Sequence, residues 1–218
     1  MSGSRTKHRD AAPAVPTLEA LRAARLDAAF YARDARVVAR AMIGTVLVHA
    51  PPGEPPRAVR VVETEAYCGP KDLACHARVG LTRRTRTLLG PPGHAYVFLI
   101  YGMYDCFNVT CLAEGRGHAV LVRGGEPLVG IPHGVRADGP GRLARALAIT
   151  RASDGASLTG DALFLAARSG RRSIEVTARV GVAYAGEWAD RPWRFLDAKS
   201  AHASRPSARN IGRGPPST

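Results

Sequence analysis

The chain has 218 residues, enough for one globular domain with a sizeable core. Hydrophobic residues make up 45% and charged residues 22%, which suits a water-soluble fold, and no apolar run approaches the roughly 18 residues of a membrane span. The formal net charge of +13 disfavours basic partners and suits a polyanion.

The charge is spread along the chain. The stretch from Ala198 onward carries +4 and the first 24 residues +2, which leaves +7 for residues 25–197. Lysine occurs only at Lys7, Lys71 and Lys199, so an arginine-rich composition contributes to the excess. The first ten residues lack the apolar core of a secretory signal, so a cytoplasmic protein is expected, nucleoid-associated if prokaryotic.

Residues 1–25 read as a flexible basic arm with room for a short helix. Val37, Val38, Ala41 and Met42 recur at helical spacing and predict a helix over 27–44, with Gly44 as its stop. Strands are predicted over 45–50 and 58–67, separated by the turn Pro51-Pro52-Gly53-Glu54-Pro55-Pro56. A long polar loop over 76–94 ends in Gly90-Pro91-Pro92-Gly93. Strands follow over 95–101, 106–112 and 118–123, then a short helix over 141–150. Further strands are predicted over 162–167, 174–184 and 193–197, and a disordered basic tail over 198–218. Clustered strands with few helices between them favour antiparallel pairing. The expected fold is a single α+β domain over 26–197, a curved, mainly antiparallel sheet flanked by short helices.

Cys68, Cys75, Cys106 and Cys111 form no C-x-x-C pair, and their spacing is poor for zinc. They are expected as reduced, packed thiols, with no metal and no cofactor. Glu63 and Glu65 stand at i and i+2 on a predicted strand, hence on one face. Such a pair can divide acid and base work, although most such pairs only solvate a strand face. Residues 94–104 carry Tyr96, Phe98, Tyr101 and Tyr104. Alternation puts Tyr96, Phe98 and Ile100 on one face, and a base could stack on it; an ordinary core strand has the same pattern.

Five ordered blocks resemble the alkyladenine (3-methyladenine) DNA glycosylase family. They are Val62-Glu63-Thr64-Glu65-Ala66-Tyr67 with Gly69-Pro70, Asp72 and His76; Gly90-Pro91-Pro92-Gly93-His94-Ala95-Tyr96-Val97 with Ile100-Tyr101-Gly102-Met103-Tyr104 and Asn108; and Val120-Leu121-Val122-Arg123 with Glu126-Pro127-Leu128. Gly139-Pro140-Gly141 with Leu143, and Arg179-Val180-Gly181-Val182 with Gly186-Glu187-Trp188, complete the set. The resemblance runs over about residues 26–197 and implies double-stranded DNA with damaged purines as substrate, no membrane and a monomer.

It also implies roles. Glu65 would activate a water for attack on the sugar, Arg123 would hold that water and Glu65, and the Val182 carbonyl would add a contact. Glu63 would support them. Tyr67, His76 and Phe98 would sandwich a flipped base, with Phe98 standing where the family commonly has tyrosine. Asn108 and Leu121 would line the pocket and reject normal guanine. Tyr101 would intercalate, braced by Met103 and Tyr104. Arg78, Arg83, Arg84, Arg86, Arg191 and Arg194 are the candidate phosphate contacts. Two other readings use the same residues. A bifunctional glycosylase–lyase needs an amine nucleophile, and Lys71 is the lysine within 26–197. A non-catalytic nucleic-acid module would need only the basic surface and the aromatics.

Overall fold

The structure is a computed structural model and describes residues 15–167 and 170–204. Three short helices lead: α1 (Leu18–Ala23), α2 (Ala28–Tyr31) and α3 (Ala35–Met42). The single helix predicted over 27–44 is two helices because two aspartates each start one. Asp27 accepts the Phe30 amide and Asp34 accepts the Arg36 amide. α3 buries Ala35, Val38, Ala39 and Met42, an i, i+3, i+4, i+7 stripe, whereas Val37 faces outward.

The strands are β1 (Val46–His49), β2 (Arg57–Cys68), β3 (Ala95–Ile100), β4 (Tyr104–Cys111), β5 (His118–Val129), β6 (Leu163–Ala166), β7 (Ile174–Thr177) and β8 (Arg194–Asp197). A fourth helix, α4 (Pro140–Ala146), lies between β5 and β6 in the chain. The strand pairs are antiparallel, in the order β3-β4-β5-β2-β1-β6, with β8 on β2 and β7 on β8. The curled antiparallel sheet with short helices is the fold class expected from the sequence.

β2 is the pivot of the sheet. Its first residues, Arg57–Arg60, pair with β1, and Glu63–Glu65 pair with β8, while β5 follows its other edge. Register shifts between Val61 and Thr64 mark the bulge where β2 changes neighbour. A side chain at Gly124 would meet Glu63 Cβ at 3.2 Å and the His202 carbonyl at 3.0 Å, so the glycine lets three segments converge.

The sheet has two different faces. Val61, Ala66, Val97, Phe107, Val109, Val120 and Val122 pack with α3 and α4 into the main core. The alternate residues, among them Glu63, Glu65 and Tyr67, form the other face. β5 runs six residues beyond the strand predicted to end at Arg123. The strand predicted over 174–184 stops at Thr177, after which Gly181 adopts φ 75° and a 3₁₀ turn covers Ala183–Trp188.

Ordered structure reaches to either side of 26–197. α1 is capped by Thr17 and packs Leu21 against Val48 and Phe164. Beyond β8 the Asp197 carboxylate accepts the Lys199 amide, the chain turns back, and Ser204 is buried. The rest of the expected arm and tail, residues 1–14 and 205–218, lies outside the described residues.

Candidate active site

Antiparallel register builds the site before any side chain is considered. Arg194 stands opposite Glu65, Glu65 opposite Leu121, Leu121 opposite Asn108, and Asn108 opposite Tyr96. Directly opposed residues share a face, so one row across five strands holds all five. Tyr67, Phe98 and Arg123 are each two residues from a member of this row and therefore join the same face.

Glu63 and Glu65 are both wholly buried, unlike a solvated strand pair. Glu65 Oε1 accepts the Val180 amide at 2.7 Å, and Oε2 accepts the Tyr67 hydroxyl at 2.9 Å. Arg123 Nε lies 3.4 Å from Glu65 Oε1 and donates to Glu63 Oε1 at 3.0 Å. Burial alone would depress the Arg123 guanidinium, but Glu65 and Glu63 outweigh it and hold the group above its ordinary value. Burial, reinforced by Glu65, pushes the Tyr67 phenol well above its ordinary range, so it remains a hydrogen-bond donor.

Glu63 is the structural partner of this pair. It accepts from Arg123, from Arg194 Nε at 2.7 Å, and from the Ser204 amide and hydroxyl. Two carboxylates and two guanidiniums thus neutralise one another inside the protein, which is what buried charge requires. Arg194 was expected to grip phosphate, and the structure corrects this. It is buried, its Nε is held by Glu63 and its Nη2 by the Ser204 carbonyl, so it presents no cation to a ligand.

A second buried ion pair braces Tyr67. Arg179 donates to both oxygens of Asp72, at 2.6 and 2.9 Å, and to the Ala66 carbonyl. Its guanidinium lies 4.8 Å from the Tyr67 ring centroid, so it covers one face of that ring. Asp72 also accepts the Cys68 and Ala74 amides, so the turn after β2 is tied to the same carboxylate.

His76 begins a 3₁₀ turn, and its Nδ1 bonds the Tyr96 hydroxyl at 3.0 Å. Its ring meets Phe98 edge-on at 4.6 Å. Burial, with Arg84 and Arg78 nearby, lowers His76 to about 4, so the imidazole is neutral at physiological pH. Tyr67, Tyr96 and Phe98 lie in one apolar cluster, as the alternation of β3 implied. Asn108 is buried and its amide donates to the Tyr96 and Cys106 carbonyls, with Leu121 beside it in register. Val182 is buried against Tyr67, and its carbonyl accepts the Ala185 amide at 2.9 Å.

β3 and β4 are joined by a tight turn at Tyr101-Gly102-Met103. Tyr101 is held at φ 52°, an unusual conformation for a non-glycine residue. Tyr101, Met103 and Tyr104 are each about half or more exposed, at 56%, 69% and 48%. Gly141 at the start of α4 touches Tyr104 so closely that a Cβ would stand 2.8 Å from Tyr104 Cβ. The turn is therefore a braced apolar projection, not a loose loop.

Arg78, Arg83, Arg84, Arg86 and Arg191 are exposed. Arg84 also lies 5.1 Å over the Phe98 ring, and Arg191 lies 5.2 Å over Trp188. Lys71 is exposed as well. The four cysteines are free thiols, and burial raises Cys75 to about 11 and both Cys68 and Cys106 to about 12. One group of metal-type side chains stands together among the described residues: Asp34, Cys68 and His118. Both Asp34 oxygens are engaged by Arg36, at 2.7 and 3.1 Å. Also among the described residues, no helix is long and apolar enough to cross a membrane.

A carboxylate held by two donors and a guanidinium, beside an aromatic cage and an exposed aromatic projection, suits chemistry on a base drawn from a nucleic acid. The family model for methylpurine-DNA glycosylase matches residues 29–201. The chain belongs to the methylpurine-DNA glycosylase family. It is 54% identical to a protein of Anaeromyxobacter dehalogenans (strain 2CP-C) provisionally named a 3-methyladenine DNA glycosylase, over 84% of this chain and 88% of that one. Proteins with the same provisional name from Methanocella arvoryzae and Legionella pneumophila (strain Lens) are 44% and 42% identical. Each alignment covers 81% of this chain, and 94% and 96% of the relative. This glycosylase therefore acts on DNA in the repair of alkylated bases, and the resemblance noted in the sequence holds.

The site residues that sequence reasoning passed over are Val180, Arg179, Asp72 and Ser204; strand alternation places Tyr96 on the stacking face but does not reveal its bond to His76. Asp72 and Arg179 stood inside the quoted blocks without a role. Val180 acts through its backbone, which no side-chain pattern reveals.

Proposed function

We propose that this glycosylase flips an alkylated or deaminated purine, such as 3-methyladenine or hypoxanthine, out of duplex DNA and hydrolyses its glycosidic bond with an activated water. The observation that carries this reading is the position of Glu65. It is a buried carboxylate joined by one hydrogen bond to Tyr67, which belongs to the aromatic cage. A base held against Tyr67 would bring its sugar toward Glu65.

In this reading Glu65 accepts a proton from the water as the base departs, a general-base role. Arg123, 3.4 Å from Glu65 Oε1, helps orient the water, and the second lone pair of the Val182 carbonyl adds an acceptor. Tyr67, His76 and Phe98 hold the base. Cationic alkylated purines gain from the negative ring faces, and a neutral His76 does not repel them. Asn108 and Leu121 crowd the exocyclic amino group of normal guanine. Tyr101 enters the minor groove and fills the vacated stack, with Met103 and Tyr104 behind it. Arg78, Arg83, Arg84, Arg86 and Arg191 neutralise phosphates. A monomer suffices, since one chain carries every part.

A panel of duplexes with single lesions tests the substrate range: 3-methyladenine, 7-methylguanine, ethenoadenine and hypoxanthine. Release of a free base from at least one of them, leaving an intact abasic site, is the expected result. Borohydride trapping tests the water mechanism. A covalent DNA adduct that disappears in Lys71→Ala would replace it with a lyase mechanism.

A further inference from the structure

Ser204 lies three residues beyond the segment that matches the family model, in a stretch whose composition reads as tail. It is nevertheless buried, and four hydrogen bonds fix it. Its amide and hydroxyl both donate to Glu63, the hydroxyl to Oε1 at 2.8 Å. Its hydroxyl accepts from Arg123 Nη2 at 3.5 Å, and its carbonyl accepts from Arg194 Nη2 at 3.1 Å. One residue thus touches both guanidiniums and one carboxylate of the buried cluster.

The route to this position is built into the fold. Asp197, at the end of β8, lies 3.4 Å from Arg60 and accepts the Lys199 amide, which turns the chain. The Ser200 hydroxyl then accepts the His202 amide. The absence of a side chain at Gly124 lets the His202 backbone approach the sheet.

The consequence concerns Arg123. Its Nε lies between Glu63 Oε1 at 3.0 Å and Glu65 Oε1 at 3.4 Å, so the two carboxylates share one cation. The more fully Glu63 is satisfied by other donors, the less it draws Arg123 away from Glu65. Ser204 supplies two of those donors and an acceptor for the far end of the same guanidinium. We propose that Ser204 is a positioning residue for base excision, which keeps Arg123 set against Glu65 by saturating Glu63. This rests on the reading of Glu65 as the group that activates the water.

The test is single-turnover excision by full-length Ser204→Ala, Ser204→Cys and Ser204→Thr proteins, with affinity for a duplex bearing a non-cleavable abasic analogue measured alongside. Losing a hydrogen bond to a charged group predicts a rate loss of roughly tenfold or more in Ser204→Ala, with unchanged affinity. Ser204→Thr keeps the hydroxyl and restores the rate, and Ser204→Cys, a weak donor, falls between. If Ser204→Ala proves too unstable to assay, the Thr and Cys variants alone decide, since their order follows donor strength. An unchanged rate in Ser204→Ala, or a parallel loss of rate and affinity that threonine does not restore, overturns the proposal. Glu65→Gln separates the two claims. If it still excises, the reading of Glu65 fails; if it is inactive while Ser204→Ala matches wild type, only the role of Ser204 fails.

Discussion

His76 carries its role through what surrounds it. Buried among Tyr96, Phe98 and the arginines of the following loop, it favours the neutral imidazole, with a value of about 4 against an ordinary 6.5. The unfolded chain therefore binds a proton that the fold refuses. The stabilisation is complete above pH 6.5 and is lost as pH falls toward about 4; the shift is worth about 3 kcal/mol. Replacing His76 with Gln should flatten the fall in unfolding midpoint over that range, which denaturant titrations at several pH values would show. A fall as steep as wild type would mean that other groups set the acid sensitivity. Tyr101 offers a second test at this scale. Its exposed ring and strained backbone suit a wedge, so Tyr101→Ala should weaken capture of a lesion by about 1–3 kcal/mol while barely changing affinity for undamaged duplex. Equal losses on both duplexes would contradict the wedge role.

At the scale of elements, the site depends on tying the turn after β2 to the turn after β7. Arg179 and Asp72 make that tie, 107 residues apart in the chain, with both side chains inaccessible to water. Cutting one partner leaves the other charge buried, so Arg179→Met should destabilise the protein by about 3–5 kcal/mol. Arg179→Met combined with Asp72→Asn should recover part of that loss; urea unfolding would measure both. No recovery would show that Arg179 acts by packing on Tyr67 and Trp193 rather than by charge. The same distance in sequence explains what could be read in advance. Strand alternation is local, so the aromatic face of β3 and the shared face of Glu63 and Glu65 were legible. Arg194 was misread because a surface arginine and a buried one look alike when the deciding carboxylate is 131 residues away. The split of the first long helix was missed because Asp34 scores as an ordinary helix-surface residue until its side chain is seen to cap. The role of Val180 had no signal at all, since every non-proline residue owns an amide.

For the whole molecule, helices α2, α3 and α4 lie on one face of the curled sheet and the site on the other. The core can therefore be apolar while the other face holds three carboxylates and three guanidiniums paired with one another: Glu63, Glu65 and Asp72 with Arg123, Arg179 and Arg194. Because that buried set is neutral overall, the net charge of +13 resides outside it and is available to a DNA backbone. This division separates binding from chemistry. The most direct test is Glu65→Gln, which keeps size and one acceptor but removes the charge. Lesion duplex binding and single-turnover base release should be measured on the same preparation. The account predicts near-normal binding with base release lost by a factor of at least about 10². Base release equal to wild type would contradict it.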